Sequence, residues 1–199
     1  MRFLLLAFPL LLSLSACAPI IKAPPESMTE AHVKTLKQEQ RATMVARLEK
    51  EVVGFSVGKP LPNKAYVFFD PACSFCTDLW RETPLLKEQV EFVWIPVAVM
   101  GWDSTLLGAA MLDAANPAGM MSANEEAMRT SGAALTLTAE PSEASVSTVS
   151  SNTDLLTSLD PGNPTLAVPL IYYRSSSGQI EIISGFKKAE AIKAAMKLK

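Results

Sequence analysis

Two apolar runs with a helical pattern between them are the clearest structural signal in this chain. The runs are Lys64–Phe69 and 90–100, and the second is rich in Val and Ile. Nearly continuous apolar runs of this kind are typical of strands buried on both faces of a parallel sheet. The residues between them predict a helix that reaches about Gln89 and bends at Pro84, because proline removes a backbone N–H. The pattern therefore predicts a βαβ unit with a right-handed crossover.

After this unit the pattern changes to helices and then returns to strands. Residues 103–160 predict an inserted helical layer interrupted at Asn116-Pro117, within which 136–151, rich in Ser, Thr and Ala, is interpreted as a polar loop. Two apolar strands then flank a turn at 175–178, which is short enough to make them an antiparallel hairpin. The order of elements predicts a small α/β layered domain over 54–199. The predicted helices of the insertion and the C-terminus are 103–115, 120–129, 152–159 and 188–198.

Upstream of the domain, 28–53 predicts one amphipathic helix, and 54–63 predicts a turn-rich connection. The sequence from Ser27 to Glu30 has the S-x-x-E spacing of a capping box. An apolar stripe runs along this helix, and we expect it to bury against the domain itself or against a partner subunit. The only histidine, His32, lies at the polar start of the helix and is interpreted as non-catalytic. The stripe consists of Val33, Leu36, Met44, Leu48 and Val52.

The first residues predict export and attachment to a membrane. Arg2 precedes an apolar stretch that has the charge and length of a secretory signal and is too short to span a bilayer. The stretch ends in Leu14-Ser15-Ala16-Cys17, which resembles the lipobox of bacterial lipoproteins. This resemblance implies a signal peptide over 1–16 and an acylated Cys17, held in the outer membrane rather than the inner one because Ala18 follows. The alternative is an ordinary signal peptide that leaves Cys17 free. Residues 17–27, which include three prolines, predict a flexible tether.

The net charge and the length of the chain limit the partners and the number of domains that the protein can have. The formal net charge is −2 and the basic residues form no patch, which argues against a nucleic-acid partner. The length suits one domain preceded by a leader. Export would place the protein in an oxidising compartment, where its remaining cysteines depend on redox partners.

Cys73 and Cys76 have C-x-x-C spacing at the predicted start of a helix that follows the first strand. Unpaired N–H groups and the macrodipole at a helix N-terminus favour an anion, so a thiolate is expected there. A second thiol one turn further on can close a disulfide with it. The alternatives are a structural disulfide and half of a zinc site, although no second Cys or His pair completes such a site. No metal or organic cofactor is implied, and Met111, Met120 and Met121 are interpreted as packing residues rather than copper ligands.

The residues around the cysteine pair carry a family resemblance. The strand before the pair runs into Asp70-Pro71, Trp80 follows the pair, a helical insertion comes next, and Pro169 opens the hairpin. In this order they resemble a thioredoxin fold, and in particular the catalytic domain of the periplasmic disulfide isomerases DsbC and DsbG, of which DsbG is the more similar. The resemblance covers about 64–199.

This resemblance implies roles for the site residues. Cys73 is expected to be the exposed nucleophile and Cys76 the resolving cysteine. Pro169 is expected to be a cis-proline, beside which the backbone at Val168 pairs with an extended substrate segment. Five residues are expected to support the active site: Asp70, Pro71, Ser74, Phe75 and Trp80.

The resemblance also implies a function. The expectation is a thiol:disulfide oxidoreductase of the reductase or isomerase type in the periplasm. It would act on protein disulfides or oxidised cysteines and be recycled by a membrane redox partner. The alternatives are an oxidase that donates disulfides and a non-catalytic chaperone or assembly factor that uses the same cleft.

Several features depart from the family pattern. Residues 17–63 have no room for the family's dimerisation domain, so a monomer with low isomerase activity is expected. Val168 stands where these isomerases usually have Thr, which removes a hydroxyl near the sulfurs. The dipeptide Ser74-Phe75 lacks the His of strong oxidants. Val67 stands where thioredoxins bury an acid, so no carboxylate is available at that position as a proton shuttle.

Overall fold

The computed structural model describes residues 38–159, 166–175 and 178–199. Several sequence predictions fall outside these ranges. They are the signal peptide, Cys17 and its tether, the capping box, and the helix residues His32, Val33 and Leu36.

The described residues form a mixed sheet of five strands: β1 (Phe55–Val57), β2 (Lys64–Phe69), β3 (Glu91–Pro96), β4 (Leu170–Arg174) and β5 (Ile180–Ser184). Their order across the sheet is β1-β3-β2-β4-β5. β2 and β3 are parallel, which confirms the strand pair of the predicted βαβ unit. β4 and β5 form the predicted antiparallel hairpin, and β4 also pairs antiparallel with β2. The start of the hairpin therefore lies beside the end of β2.

Helices pack on both faces of this sheet. Within the same ranges they are α1 (Gln38–Glu51), α2 (Ser74–Glu82), α3 (Trp102–Asp113), α4 (Pro117–Ser131), α5 (Glu143–Leu159) and α6 (Ala189–Met196). Helices α3, α4 and α5 form the inserted layer that the sequence predicts between β3 and the hairpin.

Alternate residues of each strand face opposite sides of the sheet, because the side-chain period of a strand is two. Phe69 belongs to a buried cluster with residues of α2, α4 and α6. Its neighbour Phe68 belongs to the cluster on the other side, with α1 and α5. Met44 and Leu48, two members of the predicted apolar stripe, are buried in this second cluster. At these two positions the stripe therefore packs against the domain itself.

Two elements near β2 differ from the sequence predictions. The predicted connection 54–63 contains strand β1, whose three residues are too few for an alternating pattern to be visible. Helix α2 ends at Glu82 rather than near Gln89. Pro84 does not bend a continuing helix, because it lies in the first turn of a separate 3₁₀ helix, Thr83–Leu86.

The boundary between α3 and α4 is close to its predicted place. Asn116-Pro117 separates the two helices, but α4 begins at Pro117 rather than at residue 120. The Asn116 side chain caps α4 by accepting a hydrogen bond of 3.0 Å from the Gly119 N–H. At the other end, Gly132 adopts a positive φ of 72° and closes α4 with a bond to the Met128 carbonyl.

The prediction of a polar loop over 136–151 is correct for 136–142 only. The remainder is helical, because α5 begins at Glu143 and continues through to Leu159. Its first turn is held by Asp113, the last residue of α3. The Asp113 carboxylate accepts hydrogen bonds from the Ser142 N–H at 2.6 Å and from the hydroxyls of Ser142 and Ser145 at 2.9 and 2.6 Å. Ser142 itself caps α5, because its hydroxyl accepts the Ser145 N–H at 3.2 Å, and Asp113 holds this capping residue in place from another helix.

We expect the Asp113→Asn variant to lose thermal stability at neutral pH. The hydroxyl of Ser145, followed by the N–H and hydroxyl of Ser142, lowers the pKa of the Asp113 carboxyl. A carboxyl whose pKa is lowered by folding stabilises the protein above its unfolded pKa, and this contribution disappears as the pH falls through the folded pKa. The difference in melting temperature between variant and wild type should therefore shrink in acid. Asp154→Asn, at an exposed position of α5, is the control, and an equal loss in both variants would contradict the cap.

Candidate active site

Cys73 lies at the N-cap of α2, immediately after the turn that follows β2. Its backbone is extended, with φ −86° and ψ 116°. Its carbonyl accepts the first backbone hydrogen bonds of the helix, from Cys76 at 3.0 Å and Thr77 at 3.2 Å. The sulfur therefore lies beside the unpaired N–H groups of the first turn, where the helix dipole favours negative charge. Cys73 was expected to be exposed but is buried, with 8% of its surface accessible, and Cys76 is completely buried.

The two free thiols differ strongly in acidity. A hydrogen bond from the Cys76 thiol is the largest cause that lowers the pKa of Cys73 to about 7, and the backbone N–H groups of Cys76 and Phe75 contribute in the same direction. Burial raises the pKa of Cys76 well above its ordinary value, and the neighbouring Cys73 adds to this rise. Near neutral pH, Cys73 is thus about half thiolate while Cys76 keeps its proton.

Val168 and Pro169 face this thiol from the start of β4. The peptide bond between them is cis, as the resemblance implies. The Cys73 Sγ lies 3.6 Å from the Val168 carbonyl oxygen, to which the thiol donates a hydrogen bond. The Pro169 carbonyl accepts a hydrogen bond of 2.9 Å from the Gly185 N–H. The structure therefore brings Val168 to the Cys73–Cys76 pair, although it lies 95 positions from Cys73 in the sequence.

Asp70 is a buried carboxylate that ties the turn before Cys73 to the inserted helices. One oxygen accepts hydrogen bonds from the Ala72 N–H at 2.8 Å and the Ser104 hydroxyl at 2.6 Å. The other accepts the N–H groups of Val99 and Met100, both at 2.8 Å. Four donors from three segments thus satisfy one carboxylate, which is the structural support expected of Asp70.

Asn124 supports the same turn, and Trp80 joins α2 to β3 and α4. Asn124, fully buried in α4, donates to the Pro71 carbonyl at 2.8 Å and accepts from the Leu135 N–H at 2.9 Å. Sequence reasoning missed Asn124, although an Asn three residues after the buried Met121 on an apolar helix face indicates a buried hydrogen bond. Trp80 packs edge-on against Trp94 at 5.0 Å and donates its indole N–H to the Ser122 hydroxyl at 3.2 Å.

Several large apolar side chains on the segments around the active-site turn are exposed. Ser74 is exposed, and Phe75, which lies between the two cysteines, has 60% of its surface exposed. Met100 and Trp102, on the segment that binds Asp70, are 60% and 63% exposed. Exposed side chains of this size near a reactive thiol are typical of a surface that contacts another molecule.

The described residues contain no cluster of three His, Cys, Asp or Glu side chains that could hold a metal. Met111 and Met121 are buried in the core and Met120 packs against it, in agreement with their interpretation as packing residues. None of the helices in the described ranges has the length and apolar character needed to cross a membrane.

The fold and the site together define a thioredoxin-like protein. Searches against known protein families and curated proteins found no match. Solved structures do match. The catalytic domain of Proteus mirabilis ScsC is 18% identical, with a TM-score of 0.58 over 81% of this chain and 97% of that one. A periplasmic thioredoxin-like protein from Salmonella enterica serovar Typhimurium is also 18% identical, with a TM-score of 0.57 over 78% and 94%.

DsbG from Helicobacter pylori is a further match, 16% identical with a TM-score of 0.53 over 77% of this chain and 74% of that one. Identities at this level show a shared fold. The likeness therefore confirms the α/β thioredoxin-like fold with its helical insertion, and DsbG is one of several similar proteins rather than a distinct match.

Proposed function

We propose that this protein is a thiol:disulfide oxidoreductase in which Cys73 is the nucleophile and Cys76 the resolving cysteine. The observation that carries the proposal is the difference between the two thiols. Cys73 has a pKa of about 7 and reaches the surface at a helix N-terminus. Cys76 is buried and stays protonated until its neighbour has reacted. A structural disulfide would need no such difference.

The reaction runs in two exchanges. The Cys73 thiolate attacks one sulfur of a substrate disulfide, so that a Cys73–substrate bond forms, the substrate S–S bond breaks, and the other substrate sulfur leaves as a thiolate and takes up a proton. Cys76 then loses its proton and attacks the Cys73 sulfur, which releases the second substrate thiol. Two electrons and two protons pass from the enzyme dithiol to the substrate, and a redox partner must return them.

The loop at Val168 and Pro169 is the proposed substrate contact. The Val168 carbonyl lies within hydrogen-bonding distance of the Cys73 sulfur, so a peptide backbone that presents a cysteine to Cys73 passes next to this loop. Pairing between the loop and an extended segment would recognise backbone rather than sequence.

A reductase or isomerase of the DsbG type is favoured over a strong oxidase. The pKa of Cys73 is about 7, which is near the value of about 7 for a reducing thioredoxin and far from the value of about 3.5 for a strongly oxidising member of this class. A nucleophile that is only weakly stabilised as a thiolate makes its disulfide a poorer oxidant. Ser74-Phe75, without a histidine, agrees with this direction.

This activity predicts a specific pH dependence. The rate of Cys73 alkylation, and of its attack on a small disulfide, should rise with pH through a midpoint near 7 and then level off, because only the thiolate reacts. Iodoacetamide labelling of Cys76→Ser measures this thiol alone, and the same experiment on Cys73→Ser measures Cys76. If Cys76 ionises at the lower pH, the assigned roles are wrong.

We also propose that the protein works in the periplasm as a monomer on a lipid anchor at Cys17. The lipobox-like sequence and the periplasmic origin of the Salmonella protein support this location. Wild type should be found with the membranes, and Cys17→Ser should move to the soluble periplasmic fraction. Equal recovery of both in the soluble fraction would contradict the anchor.

A further inference from the structure

A cleft of about 430 Å³ lies between the active-site turn and the inserted helices. Its floor includes Ala72, the residue before the nucleophile. One wall is the start of α3, with Leu106 and Leu107, and the other is the segment 134–137 between α4 and α5. We call this space the insertion cleft. Its volume lies within the range of roughly 300–1,000 Å³ that is typical of ligand sites.

The insertion cleft and the Val168 loop flank Cys73 from different sides. Strand β2, which leads to Cys73, lies between β3 and β4 in the sheet. The α3 wall follows β3, whereas Val168 precedes β4. A polypeptide that presents a disulfide to Cys73 and pairs with Val168 on one side therefore continues toward the insertion cleft on the other.

The lining indicates what the cleft would bind. Leu106, Leu107 and Leu137 supply aliphatic surface. Asp103 supplies an exposed carboxylate, and no Lys, Arg or His is among the described residues that line the cleft. Such a lining favours aliphatic side chains and disfavours acidic ones.

The backbone of the 134–137 segment adds a second feature. Within the described ranges, the Leu135 N–H bonds to Asn124 at 2.9 Å, but the N–H groups of Thr136 and Leu137 have no hydrogen-bond partner. Thr136 is exposed. Free N–H groups on an irregular segment such as this one can donate hydrogen bonds to the carbonyl groups of a bound peptide.

From these observations we propose that the insertion cleft is a subsite for the protein substrate, in which it binds an aliphatic side chain of the extended segment that carries the reacting cysteine. This inference rests on the proposed function, because the bound segment is delivered by the disulfide that Cys73 attacks. The cleft would make the site prefer substrates with an aliphatic residue near the reacting cysteine, a selectivity that backbone pairing at Val168 does not provide.

The test uses peptides that carry one cysteine as a mixed disulfide with a small thiol. Leu, Ser or Glu is placed on either side of that cysteine, and the second-order rate constant with the mature protein is measured. On one side Leu should react about tenfold faster than Ser, with Glu slowest. A small aromatic disulfide, which has no side chain to place in the cleft, measures the thiol chemistry separately.

Two variants locate the effect. Thr136 borders both the insertion cleft and a neighbouring cleft, while Thr138 borders only the neighbour, and both are exposed. Thr136→Trp should abolish the Leu preference, measured as the ratio of the Leu and Ser rate constants, and Thr138→Trp should retain it. As an independent variant, Asp103→Lys should raise the rate constant of the Glu peptide several-fold relative to that of the Ser peptide.

Equal rates for Leu and Ser peptides on both sides, or a full Leu preference in Thr136→Trp, would overturn the subsite while the small disulfide still reacts. If neither the peptides nor the small disulfide react, the proposed function fails, and the inference fails with it.

Discussion

Cys76→Ser should stop the reaction at its midpoint and accumulate the protein as a mixed disulfide with its substrate. Cys73 would still attack, because its sulfur stays at the helix N-terminus, but no thiol would remain to release the substrate. Multiple-turnover reduction of a protein disulfide should fall by at least about 100-fold, since resolution would depend on external thiol. The trapped complex is read by non-reducing electrophoresis and mass spectrometry.

Two comparisons make this result specific. Cys73→Ser should form no complex and have no turnover, and Cys17→Ser, which removes the third cysteine of the chain, should behave as wild type once solubilised. Undiminished turnover by Cys76→Ser would contradict the resolving role. If wild type shows no turnover and the variant lacking both Cys73 and Cys76 still binds clients, the protein is a non-catalytic chaperone.

The second large effect is expected at Asp70, whose replacement by alanine should lower the free energy of unfolding by about 3 kcal/mol or more. The carboxylate is fully buried and accepts four hydrogen bonds. Its loss would leave the buried Ser104 hydroxyl and the partly buried N–H groups of Val99 and Met100 without an acceptor, and an unsatisfied buried group costs about 1–3 kcal/mol. Urea unfolding of the reduced protein measures the change.

Asp103→Ala is the matched control, because this exposed carboxylate lies on α3 one residue before Ser104. It should change the free energy of unfolding by less than about 0.5 kcal/mol. Asp70→Ala should also slow disulfide exchange, since the turn before Cys73 loses its bond to the Ala72 N–H. A stability loss no larger than that of the control would show that Asp70 does not hold the insertion to the active-site turn.

The residues that react and the residues that hold them in place therefore come from different parts of the fold. The reacting sulfurs are carried by one short helix, whereas the groups that position this helix come from β2, the loop after β3, α3 and α4. Asn124 plays a similar part to Asp70. Its side chain donates to the Pro71 carbonyl and accepts from the Leu135 N–H, so it joins the active-site turn to the segment beside the insertion cleft. Through Asp70 and Asn124 the inserted helices hold the active-site turn in place, in addition to packing on the sheet.

The sequence alone was enough to predict the elements whose signal is local. The runs at β2 and β3 are long and apolar, so their burial and parallel pairing could be predicted from composition. The C-x-x-C pair at a helix start predicted an acidic thiol at Cys73, because the helix N-terminus is itself a local feature. The hairpin followed from a short turn between two apolar strands, and α3 and α4 from the break at Asn116-Pro117.

Only the tertiary structure decided the features whose partners lie far along the chain. Helix α5 starts within a Ser-rich stretch at Ser142, the capping residue that Asp113 of another helix holds in place, and β1 exists because β3 offers it an edge. The contact between Cys73 and Val168 and the ties made by Asp70 and Asn124 join residues 29 to 95 positions apart. Local periodicity and spacing describe a segment's own backbone and face, whereas hydrogen bonds between distant segments form only when the whole sheet and its insertion have packed.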